Sequence, residues 1–239
     1  MATTVVLCSG GLDSSVIAKW AVEELGGRVI CLFVDYGQRN APFERKAAER
    51  IAKAVGAEFE TVGTFWLRRL CPDNPMFAGG LPREAGTEDL SANWLPARNW
   101  NLLGVTAALC DHLYLKGEDD EFHIVWGINA EEAERFPDNT KEFADAVAEA
   151  LKRGLPSRPR LHSPLAELYK PGIVRLGSEL GAPMDLSVSC YNPIWEDDTP
   201  VHCGECEACY HRKRAFERAG IEDPTEYSGV TSPPSRPSP

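Results

Sequence analysis

The stretch VVLCSGGLDSSVIAKW, Val5 to Trp20, sets the first constraint on the fold. Val5, Val6 and Leu7 form a β-branched, apolar run that predicts a short buried strand. Val16, Ile17, Trp20, Ala21 and Leu25 then recur at helical spacing. A strand, a glycine-rich turn and a helix start therefore meet within a few residues. Glycine lets the backbone approach a ligand closely, and the first amides of a helix have no intrahelical acceptor, so an anion is the natural occupant of such a junction.

Beyond this junction the same alternation continues. Arg28–Val34 predicts a second buried strand, Ala41–Gly56 a helix with Pro42 at its start, and Glu58–Val62 a third strand. Ala97–Leu115 predicts a helix, Phe122–Asn129 a strand running into a loop, and Asp138–Arg153 a further helix. Short apolar strands separated by helices of this length imply right-handed crossovers and a parallel sheet covered on both faces, an α/β architecture. Between Cys71 and Leu95 lies a Gly-, Pro- and Asn-rich segment long enough to be a flap over a site. The tail SGVTSPPSRPSP is Pro/Ser-rich and reads as disordered. The expected organisation is a ligand-binding unit over 1–185, a cysteine-bearing segment over 186–227 and a tail over 228–239.

Charge and apolar patterning narrow the function classes. The chain has no apolar run near the roughly 18 residues that span a bilayer and no leader-like start, so a cytoplasmic protein without membrane contact is expected. A net charge of -11 makes it a poor match for nucleic acid gripped through phosphates. Of the eight cysteines, Cys8, Cys31, Cys71 and Cys110 are scattered in apolar company and read as small buried residues. Cys190, Cys203, Cys206 and Cys209 are spaced C-x12-C-x2-C-x2-C. Four thiolates at knuckle spacing, with Gly204 easing the turn, predict a closed, structural Zn2+ site. His202 and His211 flank the cluster, but the cysteines complete the ligand count.

The loop Ser9-Gly10-Gly11-Leu12-Asp13-Ser14 is neither a Walker A loop, which needs Gly-Lys-Ser/Thr, nor the dinucleotide fingerprint G-x-G-x-x-G. It resembles the S-G-G-x-D-S loop of the PP-loop ATP pyrophosphatases, in the strand-to-helix context that motif demands. Further polar signatures follow in order: DYGQRN (Asp35 to Asn40), PARN (Pro96 to Asn99), GIN (Gly127 to Asn129), FPDN (Phe136 to Asn139), LYKPGIVRLGSELG (Leu168 to Gly181), then SCYNP, CGECEAC and AGIEDPTEY. Together they resemble the 7-cyano-7-deazaguanine synthases of the queuosine pathway, from Val5 to about Tyr227.

The resemblance implies an adenine nucleotide alpha hydrolase-like fold with a small C-terminal zinc segment. It implies an enzyme that adenylates the carboxylate of 7-carboxy-7-deazaguanine with ATP, lets ammonia displace AMP to give an amide, and activates the amide again for dehydration to the nitrile. It implies that Ser9, Gly10, Gly11, Leu12, Asp13, Ser14 and Ser15 hold the pyrophosphate and its Mg2+, with Asp35, Tyr36, Gln38 and Arg39 close by. Asp13, Ser14, Lys170 and Arg98 would be the catalytic residues, the two cations meeting phosphate or developing negative charge. Arg98, Asn99, Asn129, Glu132, Phe136 and Asp138 would bind the deazaguanine. A homodimer is implied as well.

One region departs from the pattern. Where family members read close to N-A-x-D-Y-S-G-Y-P-D-C-R, this chain has NAEEAERFPDNTKEF, and PARN stands for P-G-R-N. A member repurposed to stop at the amide, joining the acyl group to another amine such as a protein N-terminus, is the alternative this departure raises, in a modification or antiphage setting. A tRNA-thiolating PP-loop enzyme using a Cys-x-x-Cys pair is a lesser alternative.

Overall fold

The computed structural model describes residues 2–77, 94–196 and 199–228. Most of the expected flap, at 78–93, and the tail from 229 lie outside the described residues.

Five strands build the main sheet: β1 (Ala2–Leu7), β2 (Arg28–Asp35), β3 (Glu58–Gly63), β4 (Glu121–Val125) and β5 (Arg160–His162). Their order is β3-β2-β1-β4-β5, with every pairing parallel. The chain runs outward from β1 through β2 to β3, then crosses back and continues through β4 to β5. The direction of winding therefore reverses between β1 and β4. Ligands of open α/β sheets bind outside the carboxyl ends of the strands at such a reversal.

Alternation along the central strand assigns the two faces. Val6 packs with Cys31 and Phe33 against α1 (Leu12–Trp20), α2 (Ala41–Val55), α7 (Lys170–Leu180) and α8 (Glu207–Ala219), which contribute Ile17, Ile51, Ile173 and Phe216. Val5 packs with Ile30, Leu32 and Ile124 against α4 (Arg98–Leu115) and α6 (Lys141–Gly154), which contribute Leu103, Cys110 and Val147. Each large apolar side chain fully buried this way stabilises the fold by about 1.5–3 kcal/mol. Helix α1 runs on through a π-helical turn at Ala21–Leu25.

The expected strands and helices agree with the structure to within a few residues. Helix α6 begins at Lys141 rather than Asp138, because Pro137–Asn139 forms a separate 3-10 turn and Thr140 caps the helix by accepting from the Phe143 amide. Two short connectors, α3 (Trp66–Leu70) and α5 (Ala130–Ala133), and the three-residue β5 are additions. So is a second sheet, β6 (Ile194–Glu196), β7 (Thr199–His202) and β8 (Glu226–Tyr227), which frames the cysteine cluster. Cys8, Cys31 and Cys110 are buried as expected; Cys71 is only partly so.

Candidate active site

The loop after β1 is shaped by one glycine. Gly10 adopts a φ of +80°, and a Cβ there would lie 2.3 Å from the Glu44 carbonyl oxygen, so no other residue fits beneath α2. The Gly10 carbonyl accepts from the Val188 amide at 2.8 Å. Ser14 and Ser15 are buried, their hydroxyls donating to the Gly11 and Leu12 carbonyls at 2.9 and 2.7 Å. Ser9 is exposed at the rim. The amides that open α1 are left without intrahelical acceptors at the positive end of the helix dipole. This cradle fits the phosphates of a nucleotide.

Asp13, in the first turn of α1, is the hub of a partly buried polar cluster. Its Oδ2 accepts from Lys170 Nζ at 2.7 Å and from Asn129 Nδ2 at 2.9 Å. Asn129 follows β4 and caps α5: its Oδ1 accepts from the Glu132 amide at 3.0 Å, while its Nδ2 also reaches Glu132 Oε1 at 3.1 Å. Lys170 opens α7, and its Nζ lies 3.7 Å from Glu132 Oε1. Burial by itself would push the Lys170 ammonium down, but the Asp13 and Glu132 carboxylates outweigh it and hold the group above its usual value, charged. The remaining oxygen of Asp13, Oδ1, is buried with no partner among the described residues. A hard cation such as Mg2+ takes oxygen ligands of this kind, so the donor set fits it.

A second group gathers where β2 ends. Asp35 Oδ1 accepts from the Gly37 amide, and buried Gln38 is turned inward, accepting from the Tyr36 amide at 2.9 Å and donating to Glu44 Oε2 at 3.0 Å. Glu44, which the sequence analysis did not single out, is pushed by burial to about 7, offset in part by Gln38 and Arg98. Arg39 donates to the Tyr191 carbonyl at 3.1 Å. Arg39 is placed as a strut to the cysteine segment.

Burial pushes Tyr36 up to about 12 and also raises Glu44 and Asp138, and Arg98, the first residue of α4, pulls against it at all three. Asn99 is buried and donates to the Asp138 carbonyl at 3.0 Å, and Asn139 donates to Asp138 Oδ1 at 2.9 Å. Burial raises the Asp138 carboxyl, and Arg98 offsets only part of that. Trp94, Leu95, Arg98, Phe136 and Asp138 line a small cavity. Trp94 was not anticipated, because it ends a Gly/Pro-rich stretch with no periodicity. Among the residues expected to be catalytic or to bind substrate, Asp13, Asn129, Glu132 and Lys170 come together in one group and Arg98, Asn99, Phe136 and Asp138 in another.

The cysteine cluster has the geometry of a zinc knuckle. The four Sγ atoms lie within 4.8 Å of one another, with Cys206–Cys190, Cys203–Cys209 and Cys206–Cys209 at 3.9, 4.0 and 3.4 Å. Tetrahedral Zn–S bonds of about 2.3 Å require sulfurs about 3.8 Å apart. Backbone amides of Asn192, Cys203 and Cys206 donate to sulfur, and Gly204 takes the positive φ of the turn at +79°. The residues present fit Zn2+. His202 is fully buried behind the cluster, and His211 pairs with Glu207 at 3.4 Å.

Comparison with known proteins follows the same outline. The family model described as "Queuosine biosynthesis protein QueC" matches residues 3–220. A 7-cyano-7-deazaguanine synthase of Methanopyrus kandleri is 97% identical over 227 residues, covering 95% of this chain and 99% of that one. A protein of the same name from Pyrococcus abyssi is 38% identical over 240 residues, covering 95% and 98%. A solved structure described as a predicted subunit of tRNA methyltransferase from Methanocaldococcus jannaschii superposes with a TM-score of 0.46 at 16% identity, covering 93% of this chain and 91% of that one, too distant to bear on activity. The glycine cradle, the ordered motifs and this near-identity along the chain agree: the protein belongs to the QueC family of queuosine biosynthesis proteins.

Proposed function

We infer that the protein is a 7-cyano-7-deazaguanine synthase. The observation that carries this is the 97% identity to a protein so named, over nearly the whole of both chains. The intact cradle around Gly10 and the Asp13–Lys170 pair support it.

A carboxylate is a poor acyl donor because its leaving group would be oxide. In the first half-reaction, a carboxylate oxygen of 7-carboxy-7-deazaguanine attacks the α-phosphorus of ATP and pyrophosphate leaves. Ammonia then attacks the acyl carbon, AMP leaves, and the amide forms with loss of a proton. The amide oxygen next attacks a second ATP in the same way, and expulsion of AMP with loss of both amide protons leaves the nitrile. Ser9, Gly10, Gly11, Leu12, Ser14 and Ser15 would hold the departing pyrophosphate through loop amides and hydroxyls, with Asp35, Tyr36, Gln38 and Arg39 shaping the neighbouring wall. Lys170, kept charged by Asp13 and Glu132, would meet charge accumulating on the α-phosphate. Asp13 Oδ1 would ligate Mg2+, which shields phosphate charge when bound. Arg98, Asn99, Asn129, Glu132, Phe136 and Asp138 would bind and orient the deazaguanine. The cysteine site would hold Zn2+ as a structural ion, taking no step in the reaction.

The chain is read as a cytoplasmic enzyme; among the described residues no helix is long and apolar enough to cross a membrane. Exposed Phe65, Trp66, Leu70 and Trp100 on neighbouring parts of α3 and α4 support assembly as a homodimer, which light scattering tests. The activity test is incubation of the pure protein with 7-carboxy-7-deazaguanine, ATP, Mg2+ and ammonium, with mass spectrometry of the products. Nitrile is expected. Amide as the end product, or a deazaguanine mass added to a protein acceptor, would overturn the synthase in favour of the amide-stopping ligase.

A further inference from the structure

Trp94 and Phe136 come from chain segments about forty residues apart, yet their rings stack with centroids 5.9 Å apart and planes 21° from parallel. Both backbones are pinned. Asn74 Nδ2 donates to the Trp94 carbonyl at 2.8 Å, while the Phe136 amide donates to the Glu132 carbonyl at 2.8 Å and its own carbonyl accepts from the Asn139 amide at 3.0 Å. Asn99 ties the two segments together through the Asp138 carbonyl. The cavity these rings line also presents the Arg98 guanidinium and the Asp138 carboxyl.

We propose that Trp94 is a substrate-binding residue: it and Phe136 form the two walls of an aromatic slot that takes the bicyclic 2-amino-4-oxo ring edge-on to Asp138. This rests on the synthase reading and adds to it a residue, a geometry and a basis for selectivity. A flat heteroaromatic ring gains dispersion and stacking from both walls. Its adjacent ring N–H and exocyclic amine form a two-donor edge that a carboxylate accepts in a bidentate manner, and a base without that amine loses one of the two bonds. Seating a ring between them requires the two ring planes to part to about 7 Å, twice a stacking distance. With both backbones fixed, that opening falls on the Trp94 and Phe136 side-chain torsions. Asn139, by holding Asp138 Oδ1, fixes the plane of the carboxyl against the slot.

The test compares wild type, Trp94→Ala and Trp94→Phe by calorimetric titration with 7-carboxy-7-deazaguanine and with 7-deazaguanine, alongside steady-state turnover and thermal melting. Base–aromatic stacking is strong enough that Trp94→Ala should weaken binding of both ligands by about tenfold or more. Trp94→Phe should restore most of it, and KM for ATP should stay within about twofold. Wild-type turnover with unchanged deazaguanine affinity in Trp94→Ala overturns the slot and leaves the synthase standing. An equal rise in KM for ATP in a variant that melts like wild type also overturns it, by placing Trp94 on the nucleotide. Trp94-dependent binding of the 7-deazaguanine ring without turnover of the acid upholds the slot and overturns the synthase. Binding of neither ligand by wild type overturns both.

Discussion

Ala97 opens α4 in the left-handed region, at φ 57° and ψ 20°, where a Cβ is poorly tolerated. It precedes Arg98 and Asn99, so its strained geometry aims both side chains: helix α4 begins where the turn releases them toward Asp138. The P-G-R-N pattern of related sequences has a glycine at this place, and the structure gives the physical reason. Ala97→Gly should therefore stabilise the protein by about 1 kcal/mol, the strain relieved less the entropy glycine adds to the unfolded chain. Guanidinium unfolding checks this; a destabilised variant would mean that the turn is held by something other than its backbone preference. Glu44 makes a pH-dependent contribution of the opposite sense. Burial raises its carboxyl from the ordinary 4.5 to about 7, so across that window the folded chain keeps a proton the unfolded chain has released. The contribution to stability is full below pH 4.5, falls as pH rises toward 7, and is lost above, by at most about 3 kcal/mol. Glu44→Gln should flatten the decline between pH 5 and pH 8 in chemical denaturation, and parallel curves for the two proteins would refute the assignment.

Elements differ in how plainly the sequence announces them. Strand β1 ends in Val5-Val6-Leu7 before the glycine turn, β2 is an almost unbroken apolar run, and α2 repeats its apolar residues at Ala47, Ala48, Ile51, Ala52 and Val55, so local patterning is enough. Strand β5 reads Arg-Leu-His over three residues and exists because β4 offers it a parallel edge, a cause that lies outside its own sequence. The site divides in the same way. The Ser9–Ser15 loop is legible because a strand, glycines and a helix start are contiguous. The contact of Asp13 with Lys170, or of Trp94 with Phe136, is made by the sheet's winding order. The cysteine segment is a third case: its spacing points to a metal-ligand set but not to what the segment touches. It touches the nucleotide loop. Val188 donates to Gly10, Asn40 donates to the Cys190 and Tyr191 carbonyls at 3.4 and 3.3 Å, and Arg39 reaches Tyr191. Buried Arg212 holds the other side through Ser187, Ser189 and Met184. Removing Zn2+ with a chelator should therefore speed amide hydrogen exchange at Gly10 to Leu12 and Arg39 to Ala41 as well as around Cys190, and raise KM for ATP several-fold. Exchange confined to the cysteine segment would sever this link.

At the scale of the whole molecule, α8 decides how independent the cysteine segment can be. One face of this helix carries Cys209 into the cluster, while Phe216, 1% exposed, and Ala215 enter the same core as Val6, Ile17 and Ile173. Arg212, between them, donates to Ser187 and Asp223 and lies 5.2 Å from the Phe216 ring. A helix shared in this way cannot detach without opening the apolar face of the main sheet, so metal binding, α8 docking and the sheet should form one cooperative unit. Phe216→Ala removes a fully buried ring and should cost about 3–5 kcal/mol, a large fraction of the stability of a domain this size. Its effect should spread to both ends of the molecule. Trp126 lies against the α6 side of the main sheet and Trp195 sits in β6 under Lys46, so single-tryptophan versions report separately on body and segment. Both probes should follow one guanidinium transition with a common midpoint, shifted together by Phe216→Ala. An early Trp195 transition that leaves the Trp126 signal native would show that the segment melts alone, and that α8 is held to the sheet less firmly than its buried phenylalanine implies.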